Sequence, residues 1–192
     1  MPDAATGRRR NPATHDAILD ATCCMLEEIG FDKLSLEGVA ARAGVGKATI
    51  YRWWSNKSVL AMEALLREAG PTVNFPDSAS ARKSIETQFR KVARLYRGKS
   101  GRITCDMIRL AQVDDDTTRL FNENYLEPRR MAAHAVLRKG IAQHEFKSDL
   151  DLDIVFDLLY SPLLARMLMR HASIDDKQLN LHLKLVLDGI AV

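Results

Sequence analysis

The sequence predicts an all-α protein in two parts, with about nine helices. Three observations carry this. Apolar residues recur every three to four positions in nearly every segment, the period of a helix with a buried side. The one run that alternates like a strand has no second strand to pair with, and an isolated strand is not stable. A break at Gly70-Pro71, continued by Thr72 to Ser78 with Pro76 inside it, separates a short N-terminal part from a longer C-terminal one.

A first helix over 14–29 places Ile18, Ala21, Met25, Leu26 and Ile29 along one side, with Gly30 as its stop. Ser35 suits the N-cap of a short helix reaching Ala43. Gly44-Val45 forms a tight turn into a second short helix, 46–54. Asn56 then caps a longer helix to about Ala69. Past the break, a helix over 79–97 carries Ile85, Phe89, Val92 and Tyr96, and Gly98 and Gly101 bracket another interruption. The next helix, 102–113, carries Ile103, Met107 and Leu110. Asp114-Asp115-Asp116 opens a long helix to Gln143, its early carboxylates matched to the positive end of the helix dipole. Asp149 starts another to His171, in which Pro162 removes a backbone hydrogen bond and predicts a kink. Asp175 starts the last.

In that last segment Leu179, Leu181, Leu183, Leu185 and Leu187 alternate. Wound as a helix, Leu179, Leu183, Val186, Leu187 and Ile190 share one face while Leu181 and Leu185 fall toward the other. A helix apolar on two sides needs burial on two sides. The preceding helix is similarly apolar, with Val155, Leu158, Leu159, Leu163, Leu164, Met167 and Leu168. Two such helices from each of two chains make a four-helix bundle, so a two-fold homodimer is expected. The interface is assigned to Leu159, Leu163, Met167, Leu179, Leu183 and Leu187.

Charge is concentrated in residues 35–57. The chain carries 28 basic and 25 acidic residues, a net charge of +3. Between Gly38 and Met62 there is no carboxylate, while Arg42, Lys47, Arg52 and Lys57 all lie in that window. Net positive charge gathered in one short motif points to a polyanion, here double-stranded DNA. The motif reads as a helix-turn-helix, with Ala40, Gly44, Val45, Ile50 and Trp53 in the packing and turn positions. With Ile50 inward, Ala48 and Arg52 point directly outward, Thr49 and Tyr51 flank them, and Lys47 leads the helix. One helix fits the major groove, where Arg reads guanine and Thr or Ala meets thymine methyls or mixed edges. Thr49, Arg52 and Lys47 are assigned to bases. Tyr51, Lys57 and the helix N-terminus after Asn56 are assigned to phosphates, and Ser35 and Ala48 complete the contact set. Trp53 and Trp54 read as packing residues. Arg8, Arg9 and Arg10 form either a basic arm with minor-groove or phosphate contacts, or a solubilising tail.

The run GFDKLSLEGVAARAGVGKATIYRWWSNKSVLAMEAL resembles the DNA-binding domain of the tetracycline-repressor (TetR) family of bacterial regulators. The similarity is dense over residues 14–67: Gly30-Phe31, the Ala41–Val45 turn, Thr49-Ile50-Tyr51-Arg52 and Asn56-Lys57. The remainder is similar only in helix count, length and its apolar C-terminal pair. Two departures stand out. Gly46 replaces the hydroxyl residue that many members use to start the recognition helix. Gly38 lies inside the motif's first helix, at a cost of about 1 kcal/mol relative to Ala. The resemblance implies a dimeric repressor with a small-molecule cavity in the C-terminal domain. It divides the chain into an arm at 1–13, a DNA-binding domain with its linking helix at 14–69, and a ligand-binding and dimerisation domain at 78–192. Met62, Phe89, Tyr96, Met107 and Tyr125 are candidate cavity residues, the tyrosines as polar handles. An effector that spreads the two recognition helices from their spacing of about 34 Å would release the operator.

Other classes find less support. No apolar run approaches the roughly 18 residues of a membrane span, and the N-terminus lacks a signal-peptide core, so a cytoplasmic location is expected. Cys23, Cys24 and Cys105 have no CxxC spacing and read as reduced thiols. His134, His144, His171 and His182 have no recognised metal-ligand or catalytic spacing, and no GxSxG, HExxH or phosphate loop is present. No cofactor, metal or catalytic residue is expected. The remaining alternatives are a non-specific architectural DNA binder and, further off, an enzyme built on the helical C-terminal part.

Overall fold

The computed structural model describes residues 11–192, and its regular elements are helical apart from one isolated bridge between Phe146 and Ala191. The Arg8-Arg9-Arg10 arm lies outside the described residues. Two compact units are formed, Met1–Ala64 and Leu65–Val192. The division falls inside a helix, earlier than the Gly70-Pro71 break, because that helix buries Leu60, Ala61 and Ala64 among N-terminal residues and hands its last turn to the second unit.

The first unit holds α1 (Pro12–Lys33), α2 (Leu36–Arg42), α3 (Lys47–Trp53) and the start of α4 (Lys57–Ala69). α1 begins before Thr14 because Asn11 accepts a hydrogen bond from Ala13 N at 3.0 Å and Pro12 occupies the first turn. Gly30, at φ 74°, interrupts it close to its end. Ser35 Oγ accepts from Gly38 N at 3.1 Å and caps α2, and Asn56 Oδ1 accepts from Val59 N at 3.0 Å at the head of α4. The core joins Ile18, Leu19 and Leu26 of α1 to Val39, Ala40, Ile50, Trp54 and Leu60.

One tryptophan departs from expectation. Trp54 is buried, but Trp53 is 38% exposed. α3 ends at Trp53, and Trp54, in extended backbone (φ −128°, ψ 115°), drops its indole inward. There its Nε1 donates to Glu63 Oε2 at 2.5 Å, and the ring stacks on His15, whose Nε2 lies 2.7 Å from Glu63 Oε1.

The second unit contains α5 (Ala81–Arg97), α6 (Lys99–Ala111), α7 (Asp115–Phe121), α8 (Glu127–Ala142), α9 (Leu152–Met169) and α10 (Asp176–Ile190). α6 starts at Lys99, so Gly101 lies inside it and not beyond a break. A Cβ at Gly101 would meet the Tyr96 carbonyl oxygen at 2.1 Å, and its absence lets α6 begin directly against the end of α5. α7 and α8 join through a π-helical turn, Asn122–Leu126, giving the long rod that Asp114 was expected to open. Pro128 accounts for the turn: its ring and missing N–H disrupt the α-helical ladder just N-terminal to it. α9 starts at Leu152 under an Asp151 cap, two residues after Asp149, and ends at Arg170 in left-handed backbone (φ 52°). Asp175 caps α10 through Gln178 N.

Ile85, Phe89, Val92, Leu137, Val155, Phe156, Leu159, Leu163, Leu179, Leu183 and Leu187 form the second unit's core. This corrects the interface assignment. Leu159, Leu163, Leu179, Leu183 and Leu187 are each 5% exposed or less, and Met167 is half-buried against the same core. The faces left open carry Ile154, Leu158, Leu168 and Met169 on α9 and Leu181 and Leu185 on α10. Two apolar stripes were legible on these helices. Which stripe the chain itself covers is a matter of tertiary packing.

Candidate nucleic-acid interface and cavity

α2 and α3 pack through Val39, Ala40 and Ile50, with Gly44 at φ 67° between them, a left-handed conformation that a side chain disfavours. Gly38 has a packing reason too: a Cβ there would sit 3.0 Å from Met25 Cε and 3.0 Å from the capping Ser35 Oγ. Because Ile50 is wholly buried, the opposite side of α3 faces out. Lys47, Ala48, Tyr51 and Arg52 are exposed and Thr49 is half-buried. Gly46, the N-cap of α3, supplies no side-chain bond. A groove of about 490 Å³ runs between the head of α1 and α3, bordered by Asn11, Thr14, Thr49, Arg52 and Trp53.

The four cations of the carboxylate-free window are not equivalent. Arg42 is clasped by Glu28 through both terminal nitrogens, at 2.5 and 2.6 Å, which raises its pKa. Lys57 Nζ donates to the carbonyls of Phe31 (3.1 Å) and Asp32 (3.2 Å) and lies 4.5 Å from the centre of the Phe31 ring. Among the described residues the Arg52 guanidinium has no ion-pair or hydrogen-bond partner. Tyr51 OH donates to Glu37 Oε1 at 2.5 Å, a bond that lowers the carboxyl pKa and raises the phenol's. Ser35 Oγ is engaged in the α2 cap through Gly38 N.

In the second unit a cavity of about 210 Å³ opens between α5, the π turn, α8 and α9. Of the candidate cavity residues, Tyr96 and Tyr125 line it, with their hydroxyls 3.3 Å apart. Burial, then the neighbouring Tyr125, holds the Tyr96 phenol well above its usual pKa. Phe89 and Met107 are fully buried and do not line it, and Met62 belongs to the other unit. Sequence reasoning missed Gln88, Arg129 and Tyr160 in its wall. Gln88 had a signal: it stands on the apolar face shared by Ile85, Phe89 and Val92, where a polar side chain needs a buried partner. Arg129 had none, since its partner Ala69 is distant in sequence.

Cys23, Cys24 and Cys105 are half-buried, and desolvation followed by Asp106 raises the Cys105 pKa, disfavouring the reactive thiolate. Among the described residues no group of His, Cys, Asp and Glu is placed to hold a metal ion, and no helix is long and apolar enough to cross a membrane.

A helix-turn-helix with an outward cationic face, followed by a helical unit with its own cavity, defines a helix-turn-helix transcriptional regulator. The chain matches the family of bacterial regulatory proteins, tetR family, over residues 18–69, and the tetracyclin repressor-like C-terminal domain over residues 75–186. It belongs to the TetR family. It is similar to the HTH-type transcriptional regulator YdeS of Bacillus subtilis (strain 168), at 35% identity over 88% of this chain and 86% of that one. It is also similar to the DNA-binding transcriptional repressor TetR of Mycobacteroides abscessus, at 26% identity over 79% and 80% of the two chains. Among solved structures, the TetR family transcription regulator SCO0332 superposes with a TM-score of 0.78 at 28% identity, covering 93% of this chain and 99% of that one.

Proposed function

We propose that the chain is a cytoplasmic, homodimeric repressor that binds an inverted-repeat DNA operator and leaves it when a small molecule fills the second unit. The observation that carries the DNA reading is the exposed face of α3, where Arg52 stands uncommitted beside Lys47, Ala48 and Thr49 while Ile50 anchors the opposite side. Arg52, Lys47 and Thr49 read base edges in the major groove. Tyr51, Lys57, Ser35 and the first amides of α4 meet phosphates, Tyr51 exchanging Glu37 for a phosphate oxygen. The dimer forms through Ile154, Leu158, Leu168, Met169, Leu181 and Leu185, the apolar side chains that α9 and α10 leave exposed. A two-fold pair of recognition helices requires half-sites about one helical turn apart, near 34 Å. The M. abscessus relative's designation as a repressor supports the sign of regulation.

Selection of preferred sites from random duplexes tests this reading. Enrichment of an inverted repeat is expected. Retention of duplexes without any common motif would refute it and leave the architectural alternative standing.

A further inference from the structure

Adjacent arginines on α8 are in opposite electrostatic situations. Arg130 is paired with Asp153 at 2.6 Å and Asp157 at 3.5 Å. Arg129 is 8% exposed, and among the described residues its guanidinium meets no carboxylate. It lies 3.7 Å from the Tyr125 ring centre and donates to two carbonyls, Tyr125 O at 2.7 Å and Ala69 O at 3.0 Å. A buried cation without an anion is costly, and neutral carbonyls offset only part of that cost. Arg129 forms part of the cavity wall.

Ala69 is the last residue of α4, where the helix dipole is negative and a cation is favoured. A second buried polar wall residue grips the same segment: Gln88 Nε2 donates to Thr72 O at 2.7 Å, and Gln88 Oε1 accepts from Tyr160 OH at 2.5 Å. Thr72 Oγ1 in turn donates to Ala69 O at 2.6 Å. Two polar residues of the wall, Arg129 and Gln88, therefore also hold the end of α4; the wall's one carboxylate, Asp157, is paired with Arg130.

We propose that the cavity takes a small planar aromatic carboxylate, and that this anion acts by drawing Arg129 away from the Ala69 carbonyl. The inference rests on the effector reading above and gives it a chemical class and a point of action. The volume, about 210 Å³, is below the roughly 300–1,000 Å³ of drug-sized sites and suits one or two rings. Tyr125, Phe156 and Tyr160 supply aromatic walls for offset stacking. A carboxylate forms a bidentate, charge-assisted pair with a guanidinium and so outcompetes a backbone carbonyl for it. Freed of that clamp, the last turn of α4 loses the bond that fixes the helix leading back to the DNA-binding unit.

The test uses the full-length chain and three acids, benzoate, salicylate and 2-naphthoate, each against its neutral amide. Calorimetry measures binding, and fluorescence polarisation follows a selected operator. At least one acid is expected to bind about tenfold or more tightly than its amide and to weaken operator binding by a similar factor. Arg129→Gln removes the acid-over-amide preference and Arg129→Lys restores part of it. Arg129 is also a fold contact, so the comparison on the unmodified chain is decisive if these variants do not fold. Acids binding no better than amides, or no acid binding at all, overturns the anion class. Tight acid binding with unchanged operator affinity overturns the α4 coupling. Either failure leaves operator recognition by the unliganded chain intact, whereas a chain that selects no operator refutes the regulator reading itself.

Discussion

Leu183 and Leu185 are two residues apart on α10, yet substituting each by Asp tests different things. Leu183 is 2% exposed and packed in the core of the second unit, whereas Leu185 is 67% exposed. Leu183→Asp removes a buried side chain worth about 2–5 kcal/mol and adds an unpaired buried carboxylate at several kcal/mol more. That sum rivals the entire stability of a domain, about 5–15 kcal/mol, so this variant should lose its cooperative thermal transition. Leu185→Asp puts a charge where the isolated chain already meets solvent and should alter monomer stability by about 0.5 kcal/mol or less. In a dimer closed by α9 and α10 the two-fold axis sets the new carboxylate in or beside a matching apolar patch, and the assembly should dissociate. Circular dichroism melting and light scattering on both variants separate these effects. A Leu185→Asp chain that is still dimeric removes this face from the interface. A Leu183→Asp chain that folds as a well-behaved monomer reinstates Leu183 as an interface residue and contradicts the core packing described above.

Further expectations follow from single contacts. Arg52→Ala should cost about 1–3 kcal/mol in operator binding and relax preference at one base position, measured by competition among single-base operator variants. Lys57→Ala should weaken all duplexes alike and also lower the melting temperature, by about 1 kcal/mol of stability, because Nζ ties the end of α1 through Phe31 O and Asp32 O. An unchanged melting temperature would refute the tethering role. Glu145 accepts hydrogen bonds from Ser80 Oγ and the Ala81 and Arg82 amides at the head of α5. Burial acts to raise its pKa, but these bonds outweigh it and the folded value is lowered. Its stabilisation is therefore complete above the ordinary Glu value of about 4.3 and is lost as pH falls through the depressed folded pKa. Glu145→Gln should cost about 1 kcal/mol at pH 7 in urea unfolding, and the gap from the parent should close in strong acid.

Local features of the fold were legible and distant ones were not. Ser35, Asn56, Asp114 and Asp175 announced helix starts because a cap acts within three residues. The beginning of α9 was misplaced because Asp149 and Asp151 are both acceptable caps, and only the packing of Val155 and Phe156 selects the second. Trp53 and Trp54 are neighbours with equal claim to the core, and the end of α3 decides between them. The outward face of α3 followed from periodicity once Ile50 was placed inside. In the cavity, Tyr96 and Tyr125 were anticipated as polar groups on apolar faces, whereas Arg129 acquires its meaning from Ala69, on another helix.

The electrostatics of the first unit bear on the choice between a sequence reader and a non-specific binder. Four cations in a carboxylate-free window pointed to a polyanion. Arg42 is offset by Glu28 and Lys57 is bound to carbonyls, which leaves Lys47 and Arg52 on the outward side of α3. Non-specific affinity comes from counterion release, with log K falling by about 0.9 per decade of salt for each phosphate neutralised. A surface with few uncommitted cations gains little from that source, so discrimination must come from base edges and from pairing two half-sites. Any phosphate contacts from Arg8, Arg9 and Arg10 would act on any duplex alike and cancel in a ratio. The selected operator and a scrambled duplex should therefore show similar salt slopes, while the ratio of their affinities stays large at every salt concentration. A scrambled duplex bound as tightly as the operator throughout would make charge the whole of the interaction.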